Sequence, residues 1–216
     1  MNKIIAAVLL LTTVAVQAQH NGNDFSDDGM AAKADSLRRL YGKNKTLPAD
    51  YALQALTALS YYPELRDEPI RFVIKKAKLP YASRPQTWTL LTPFVRKKYI
   101  VVISDQSIDL REKTLLKNMT FSAQTGALGH ELAHTLYYSK SSKAKIMLTA
   151  VKYLFPSFKE KFEKMTDLIA IEHGLGLQIY EWNKHVYPVK ILDGKRAKIY
   201  YSPDEILEIL KRREEE

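Results

Sequence analysis

One short motif constrains this chain more than any other feature: the pattern H-E-x-x-H, formed by His130, Glu131 and His134. Leucines recur at every fourth position around the motif, and Ser122 stands before it as the predicted N-cap. Residues four apart on an α-helix lie on one face, so both imidazoles can reach a single ion. The sequence therefore predicts a helix that buries an apolar stripe and presents two histidines side by side.

Two glycines interrupt this predicted helix just before the first histidine. Gly126 and Gly129 lower the stability of a helix, because glycine loses more conformational freedom on folding than any other residue. Their presence predicts that another part of the chain packs closely against this turn.

The residue types of the motif indicate metal-assisted hydrolysis, most often of a peptide bond. Imidazole nitrogen is a favoured ligand of Zn²⁺, and a catalytic zinc typically has three protein ligands and one open position for water. Glu131 stands beside the first histidine, where it can act as the general base that takes a proton from that water. Because the chain contains no cysteine, a metal site must use histidine and carboxylate ligands.

Two carboxylates downstream are candidates for the third ligand. Glu163 and Asp167 are four residues apart, so on a helix one can bind the ion while the other orients a ligand imidazole. H-E-x-x-H followed by E-x-x-x-D resembles the gluzincin metallopeptidases. That resemblance implies one zinc ion per chain, held by His130, His134 and Glu163, with Asp167 outside the ligand set. Residues 163–176 also resemble a family of bacterial secreted proteins with an E-x-x-T-D…H-G-L-G signature.

The second motif departs from the gluzincin pattern at two places. Thr166 precedes the aspartate where those enzymes usually carry alanine, and Ala170 stands where they carry glycine. Another zincin group uses aspartate as its third ligand, in a motif that also has threonine nearby. Asp167 therefore remains an alternative to Glu163 as the third metal ligand.

Hydrolysis of zincin type also needs a donor for the negative oxygen that develops on the substrate. His185 follows a long predicted helix and is a candidate for this oxyanion-stabilising role. Tyr137 and Tyr138, one turn after the motif, are further candidates, although aromatic packing is their expected role. His173 is also expected to pack or to support the site from outside the ligand set.

The N-terminus predicts export. Residues 1–18 have the pattern of a signal peptide: Lys3 precedes a short apolar stretch, and small residues end at Ala18, the expected cleavage position. Residues 19–29 are small and polar, which predicts a disordered lead-in. We expect the mature protein to be soluble and located in a bacterial periplasm or outside the cell.

The remaining residues 30–216 are expected to form a single domain. Two predicted helices precede predicted strands at 70–74, 87–94 and 99–104, and the motif helix follows. This order predicts an α+β, zincin-like fold, in which a small, mostly antiparallel sheet packs on the active-site helix. A largely helical C-terminal half completes the domain.

Two segments of this predicted fold have a specific interpretation. Residues 99–103 could form an edge strand that receives the substrate backbone, and their all-apolar sequence fits a buried central strand equally well. Asp193-Gly194 is a favourable two-residue turn, which predicts a hairpin within residues 188–201.

The net charge of +9 is spread along the chain and allows weak association with anionic envelope surfaces. Nucleic acid is not an expected partner, because no recognition motif accompanies the charge. The sequence thus predicts an exported zinc-dependent hydrolase, a peptidase acting on peptides or proteins. The alternatives are a non-catalytic, metal-binding envelope or assembly protein of zincin fold, and a metal-free helical interaction protein whose motif is accidental.

Overall fold

The computed structural model describes residues 27–106, 109–192 and 199–215. The predicted signal peptide, most of the predicted lead-in and the Asp193-Gly194 turn lie outside these ranges. The first helix begins at Asp27, so the last three residues of the expected lead-in are helical.

Helices dominate the described residues, and four short strands lie in the first half of the chain. The helices are α1 (Asp27–Tyr41), α2 (Ala52–Ser60), α3 (Thr87–Leu91), α4 (Phe121–Lys140), α5 (Lys143–Lys152), α6 (Pro156–Ala170), α7 (Gly176–Leu192) and α8 (Pro203–Glu214). The strands are β1 (Lys45–Thr46), β2 (Ile70–Ile74), β3 (Tyr81–Pro85) and β4 (Tyr99–Ile103). This composition confirms the predicted α+β class.

The strands form one mixed sheet in the order β1-β2-β4-β3. β2 runs parallel to both of its neighbours, β1 and β4, whereas β3 runs antiparallel to β4. The expectation of a mostly antiparallel sheet is therefore wrong. Side-chain patterns indicate which residues face the core, but they do not indicate strand direction. Here α2 lies between β1 and β2 in the chain, and such a helical crossover allows two neighbouring strands to run the same way.

The segment expected to be a strand at residues 87–94 begins instead with the helix α3. The backbone N–H of Thr89 donates to the carbonyl oxygen of Gln86 at 2.9 Å, and its hydroxyl donates to the same oxygen at 2.7 Å. These local bonds close a helical turn, and they outweigh the strand preference of threonine and tryptophan.

The strand β4 occupies the centre of the sheet, and all five of its residues are buried. Of the two placements that the sequence left open, the structure therefore has the buried central strand. The edge of the sheet next to β4 is formed by β3. The hydroxyls of Ser83 in β3 and Thr135 in α4 are 2.7 Å apart, so this edge strand lies directly against the motif helix.

The motif helix α4 is the centre of the fold. Every residue from Ala123 to Leu136 is buried, so the helix is enclosed on all sides rather than along one stripe. The helix begins two residues earlier than the sequence predicts: Thr120, not Ser122, is the N-cap, and its side chain accepts a hydrogen bond from the backbone N–H of Ala123.

The predicted close packing before His130 is confirmed. A Cβ atom added to Gly126 would overlap the backbone carbonyl of Gln178 in α7, and one added to Gly129 would meet the side chain of Leu175. The absence of side chains at these glycines allows α4 and α7 to approach closely, and this close approach positions the motif.

The C-terminal half is helical, as expected, with a sharp bend between α6 and α7. Residues Ile171–Leu175 form a wide π-helical turn, in which Gly174 adopts a φ of 90° that glycine accommodates without strain. The helix α7 then continues through Pro188 to Leu192, so the first part of the predicted hairpin at 188–201 is helical. None of the described helices has the length and apolar character needed to span a membrane.

We predict that the substitution Gly126→Ala destabilises the protein by about 1–3 kcal/mol, because the new methyl group would displace backbone atoms of α7. Alanine favours a helix over glycine by only about 1 kcal/mol, which does not offset this cost. Gly129→Ala is the matched control, since it meets the end of a side chain that can move. Urea denaturation measures the free energy of unfolding of both variants. A Gly126→Ala protein as stable as the wild type would contradict the close packing of α4 against α7.

Candidate metal centre

Three buried side chains on two helices converge at one point. His130 and His134 come from α4 and Glu163 comes from α6; one ligand atom of each lies within 4.8 Å of the others. The carboxylate oxygen Oε2 of Glu163 is 3.1 Å from His130 Nε2 and 3.5 Å from His134 Nε2. Ligands of a tetrahedral zinc ion, bound at about 2.0–2.1 Å, are separated by about 3.3 Å. The two separations that involve Glu163 are close to this value, and the three residues could together hold a metal ion.

Asp167 contacts the opposite side of the same cluster. Its Oδ1 oxygen accepts a hydrogen bond from His130 Nδ1 at 2.8 Å, and the carboxylate is fully buried. This contact fixes the ring so that Nε2 points towards Glu163. The geometry therefore favours Glu163 as the metal ligand and Asp167 as the residue that orients His130.

Thr166 provides the equivalent contact for the second histidine. Its hydroxyl donates to the carbonyl of Phe162 at 2.8 Å and lies 3.3 Å from His134 Nδ1, from which it can accept a hydrogen bond. Adjacent residues of α6 thus hold the two imidazoles, so that both Nε2 atoms face Glu163. The threonine that departs from the gluzincin pattern has a direct structural role in this protein.

The charges of the cluster depend on one another. Burial alone would lower the pKa of His130, but hydrogen bonds to Asp167 and Glu163 outweigh it and raise the pKa to about 10. Burial likewise opposes ionisation of Glu163, yet the two histidines hold its pKa well below the ordinary value. A metal ion that binds these atoms therefore competes with a proton on His130.

Glu131 is buried, and its Oε2 oxygen has no hydrogen-bond partner among the described residues. The same holds for Oδ2 of Asp167, but Asp167 does not line the cavity at this site, whereas Glu131 does. Burial raises the pKa of Glu131, and the charges of His134 and His130 offset this only in part. A raised pKa suits a general base, which must accept a proton and then release it near neutral pH.

Glu131 and the three converging residues open onto one cavity of about 550 Å³. This volume is typical of pockets that hold small ligands or short peptide segments. The strand β3 forms one wall, and α5 and α7 contribute to the others. Residues of these walls include Tyr81, Ser83, Pro85, Ile146, Ala150, Tyr153, Trp182 and Val186.

His185 is not among the residues that line this cavity, although its α7 neighbours Trp182 and Val186 are. The structure therefore does not bring His185 to the site as the sequence analysis expected. His173 packs outside the site, as expected: Nδ1 donates to the carbonyl of Ile169 at 2.7 Å, and the ring stacks on Tyr62.

Three tyrosines lie at the cavity. Two of them were not predicted from the sequence, and the third was expected to serve in aromatic packing. Tyr153 donates a hydrogen bond to Oε1 of Glu163, so it fixes the carboxylate from the side opposite the histidines. Tyr138 and Tyr200 also line the cavity. Tyr138 lies one turn from the motif and could be anticipated, whereas Tyr153 and Tyr200 reach the site only through the turns before α6 and α8.

Comparison with models of protein families, with curated proteins and with solved structures finds no match to this chain.

We predict that Glu163→Ala lowers zinc affinity far more than Asp167→Ala. Loss of Glu163 removes a donor atom, whereas loss of a residue that orients a ligand typically costs about 10–100-fold in affinity. Competition with a chelator measures the affinities, and circular dichroism verifies that each variant is folded. The reverse ranking would make Asp167 the ligand and Glu163 its supporting residue.

Proposed function

We propose that this protein is an exported, zinc-dependent peptidase of zincin type. The observation that carries the proposal is the position of Glu131. A buried carboxylate oxygen without a partner lies at the same cavity as a cluster of donor atoms spaced for a metal ion. Export rests on the signal-peptide pattern of residues 1–18.

The residues that would hold the ion are His130, His134 and Glu163. A zinc ion bound there would polarise the carbonyl of the scissile peptide bond and lower the pKa of a water molecule. Glu131 accepts a proton from the attacking water and returns it to the leaving amine. Glu131 has an unpartnered oxygen and a raised pKa, both of which this two-way transfer requires.

The edge strand β3 supports a peptide as the substrate. Among the described residues it pairs with β4 alone, and it contributes consecutive residues, from Tyr81 to Pro85, to the cavity wall. An extended peptide can add to such an edge through backbone hydrogen bonds, with its side chains in flanking pockets. In our proposal β3 receives the substrate backbone. Residues 99–103, the strand that the sequence suggested for this role, form β4 inside the sheet.

Tyr138 is better placed than His185 to stabilise the oxyanion. It lines the cavity together with His134 and Glu163. Burial raises the pKa of its phenol, so Tyr138 keeps its proton and can donate a hydrogen bond. The hydroxyl of Tyr153 already donates to Glu163 and therefore holds that carboxylate instead.

A non-catalytic binding protein remains the second candidate function. In that case the unpartnered Oε2 oxygen of Glu131 would cost stability without a compensating role, since a buried polar atom without a hydrogen-bond partner is unfavourable. This cost favours the catalytic alternative.

We predict that Glu131→Gln keeps the bound zinc and lowers peptide cleavage by about 10²–10⁴-fold, because glutamine has the same shape but cannot accept the proton. Cleavage of a mixed peptide library, followed by mass spectrometry, measures the activity, and elemental analysis measures the zinc. Glu208→Gln, at an exposed position of α8, is the matched control.

Two outcomes would contradict the proposal in different ways. Undiminished cleavage by Glu131→Gln would exclude the proposed base. Stoichiometric zinc in a wild-type protein that cleaves no peptide would favour the non-catalytic binding protein.

A further inference from the structure

An exposed apolar surface lies beside the cavity, on α5 and on the segment that includes α3. We call this surface the apolar rim. Its members are Leu91, Phe94, Met147, Leu148, Val151, Leu154 and Phe155, each of which is at least half exposed. Single exposed apolar residues are common on soluble proteins, but a contiguous group of this size usually marks an interaction site.

The helix α5 has two apolar faces. Ile146 and Thr149 are buried and line the cavity from one side of the helix. Met147, Leu148 and Val151 lie on the opposite side and are exposed, because successive residues of a helix are rotated by about 100°. A helix that only needed to cover the cavity would carry polar residues on its outer face, so this outer face requires a separate explanation.

The second side of the rim presents an aromatic residue at the tip of a turn. Phe94 is fully exposed and has a φ of 62°, a left-handed conformation that is costly for a bulky residue. The ammonium group of Lys143 donates to the carbonyl oxygen of Thr92 at 2.6 Å. This bond joins the turn to the N-terminus of α5, so the two segments that carry the rim are adjacent.

The charge around the apolar rim is almost entirely positive. Residues 86–98 and 143–161 contain eight cationic side chains and a single acidic one, Glu160, which pairs with Lys164. Lys145 and Lys152 lie seven residues apart and so follow one border of the outer face of α5, while Lys143 lies on the other border. With eight cations and one acid, the two segments thus carry a net charge of +7, and one of their cations, Arg96, is paired with Glu68 outside them.

We propose that the apolar rim docks on the surface of an anionic lipid bilayer. A helix with an exposed apolar face bordered by lysines lies in the interface of a membrane, with its apolar side chains among the acyl chains. Lysine side chains are long enough to reach the head groups while their stems lie along the apolar surface. The absence of unpaired acidic residues in both segments fits a lipid surface better than a protein partner of mixed charge.

Docking of this kind would place the cavity beside the membrane, because Leu90 and Ile146 line the cavity from the same two segments that carry the rim. It requires neither a metal ion nor catalysis. Binding to vesicles can therefore be tested independently of the proposed peptidase activity.

The test is co-sedimentation of the full chain with vesicles of phosphatidylglycerol and phosphatidylcholine, and with vesicles of phosphatidylcholine alone. We expect much stronger binding to the anionic vesicles than to the neutral ones, and a steep loss of this difference between 0.1 and 1 M salt, over which the Debye length falls from about 10 to about 3 Å. Leu154→Asp should weaken the partition coefficient about tenfold or more. Lys145→Glu combined with Lys152→Glu should weaken it by at least about 25-fold.

Matched variants outside the rim control for changes in charge and hydrophobicity. Leu177 is a similarly exposed leucine on α7, and Lys211 is an exposed lysine on α8. Leu177→Asp and Lys211→Glu should therefore bind almost as the wild type does, and any contribution from residues 1–18 is common to all variants.

Three results would overturn the proposal. The wild type could fail to bind anionic vesicles, or Leu154→Asp could bind as well as Leu177→Asp. Alternatively, the wild type could be a dimer that Leu154→Asp dissociates, without vesicle binding, in which case the rim is an interface between two copies of the chain.

Discussion

The structure depends on the pairing of ionisable groups inside a helix that is buried on every side. Burying an isolated charge in a protein interior costs several kcal/mol, and α4 buries three ionisable side chains within five residues. The cost is offset because Asp167, Glu163 and Thr166 of α6 contact the two imidazoles. The contacts that hold α4 against α6 are therefore the same contacts that arrange the donor atoms. A divalent ion bound there would offset the cost of burying these groups further.

Much of the candidate site could be predicted from the sequence, because helical periodicity determines which residues share a face. His130 and His134 share one helix face, and so do Glu163 and Asp167, because an α-helix has about 3.6 residues per turn. Which of the two carboxylates is the metal ligand and which orients His130 depends on the imidazole nitrogen that each one contacts. These contacts are set by the packing of α4 against α6, which the sequence does not show. Tyr153 was missed for the same reason, since it approaches Glu163 across the break at Pro156.

The fold was less predictable than the site. Strand positions follow from apolar patterns, which located β2 and β4 correctly, but strand direction depends on the connections between them. The segment that begins at Thr87 has strand-forming residues and still folds as a helix, because its threonine hydroxyl and backbone bond locally. The glycines of α4 predicted one feature of the tertiary packing correctly. Their lack of a side chain indicated that another segment approaches the helix closely, and this segment is α7 with the turn before it.

The central claim is that one metal ion binds to His130, His134 and Glu163, and anomalous X-ray diffraction at the zinc edge tests it most directly. For crystals grown with zinc, we predict a single strong anomalous peak, about 2.0–2.2 Å from the Nε2 atoms of both histidines and from a carboxylate oxygen of Glu163. The absence of a peak there, in crystals whose structure otherwise agrees with the one described, would contradict the account.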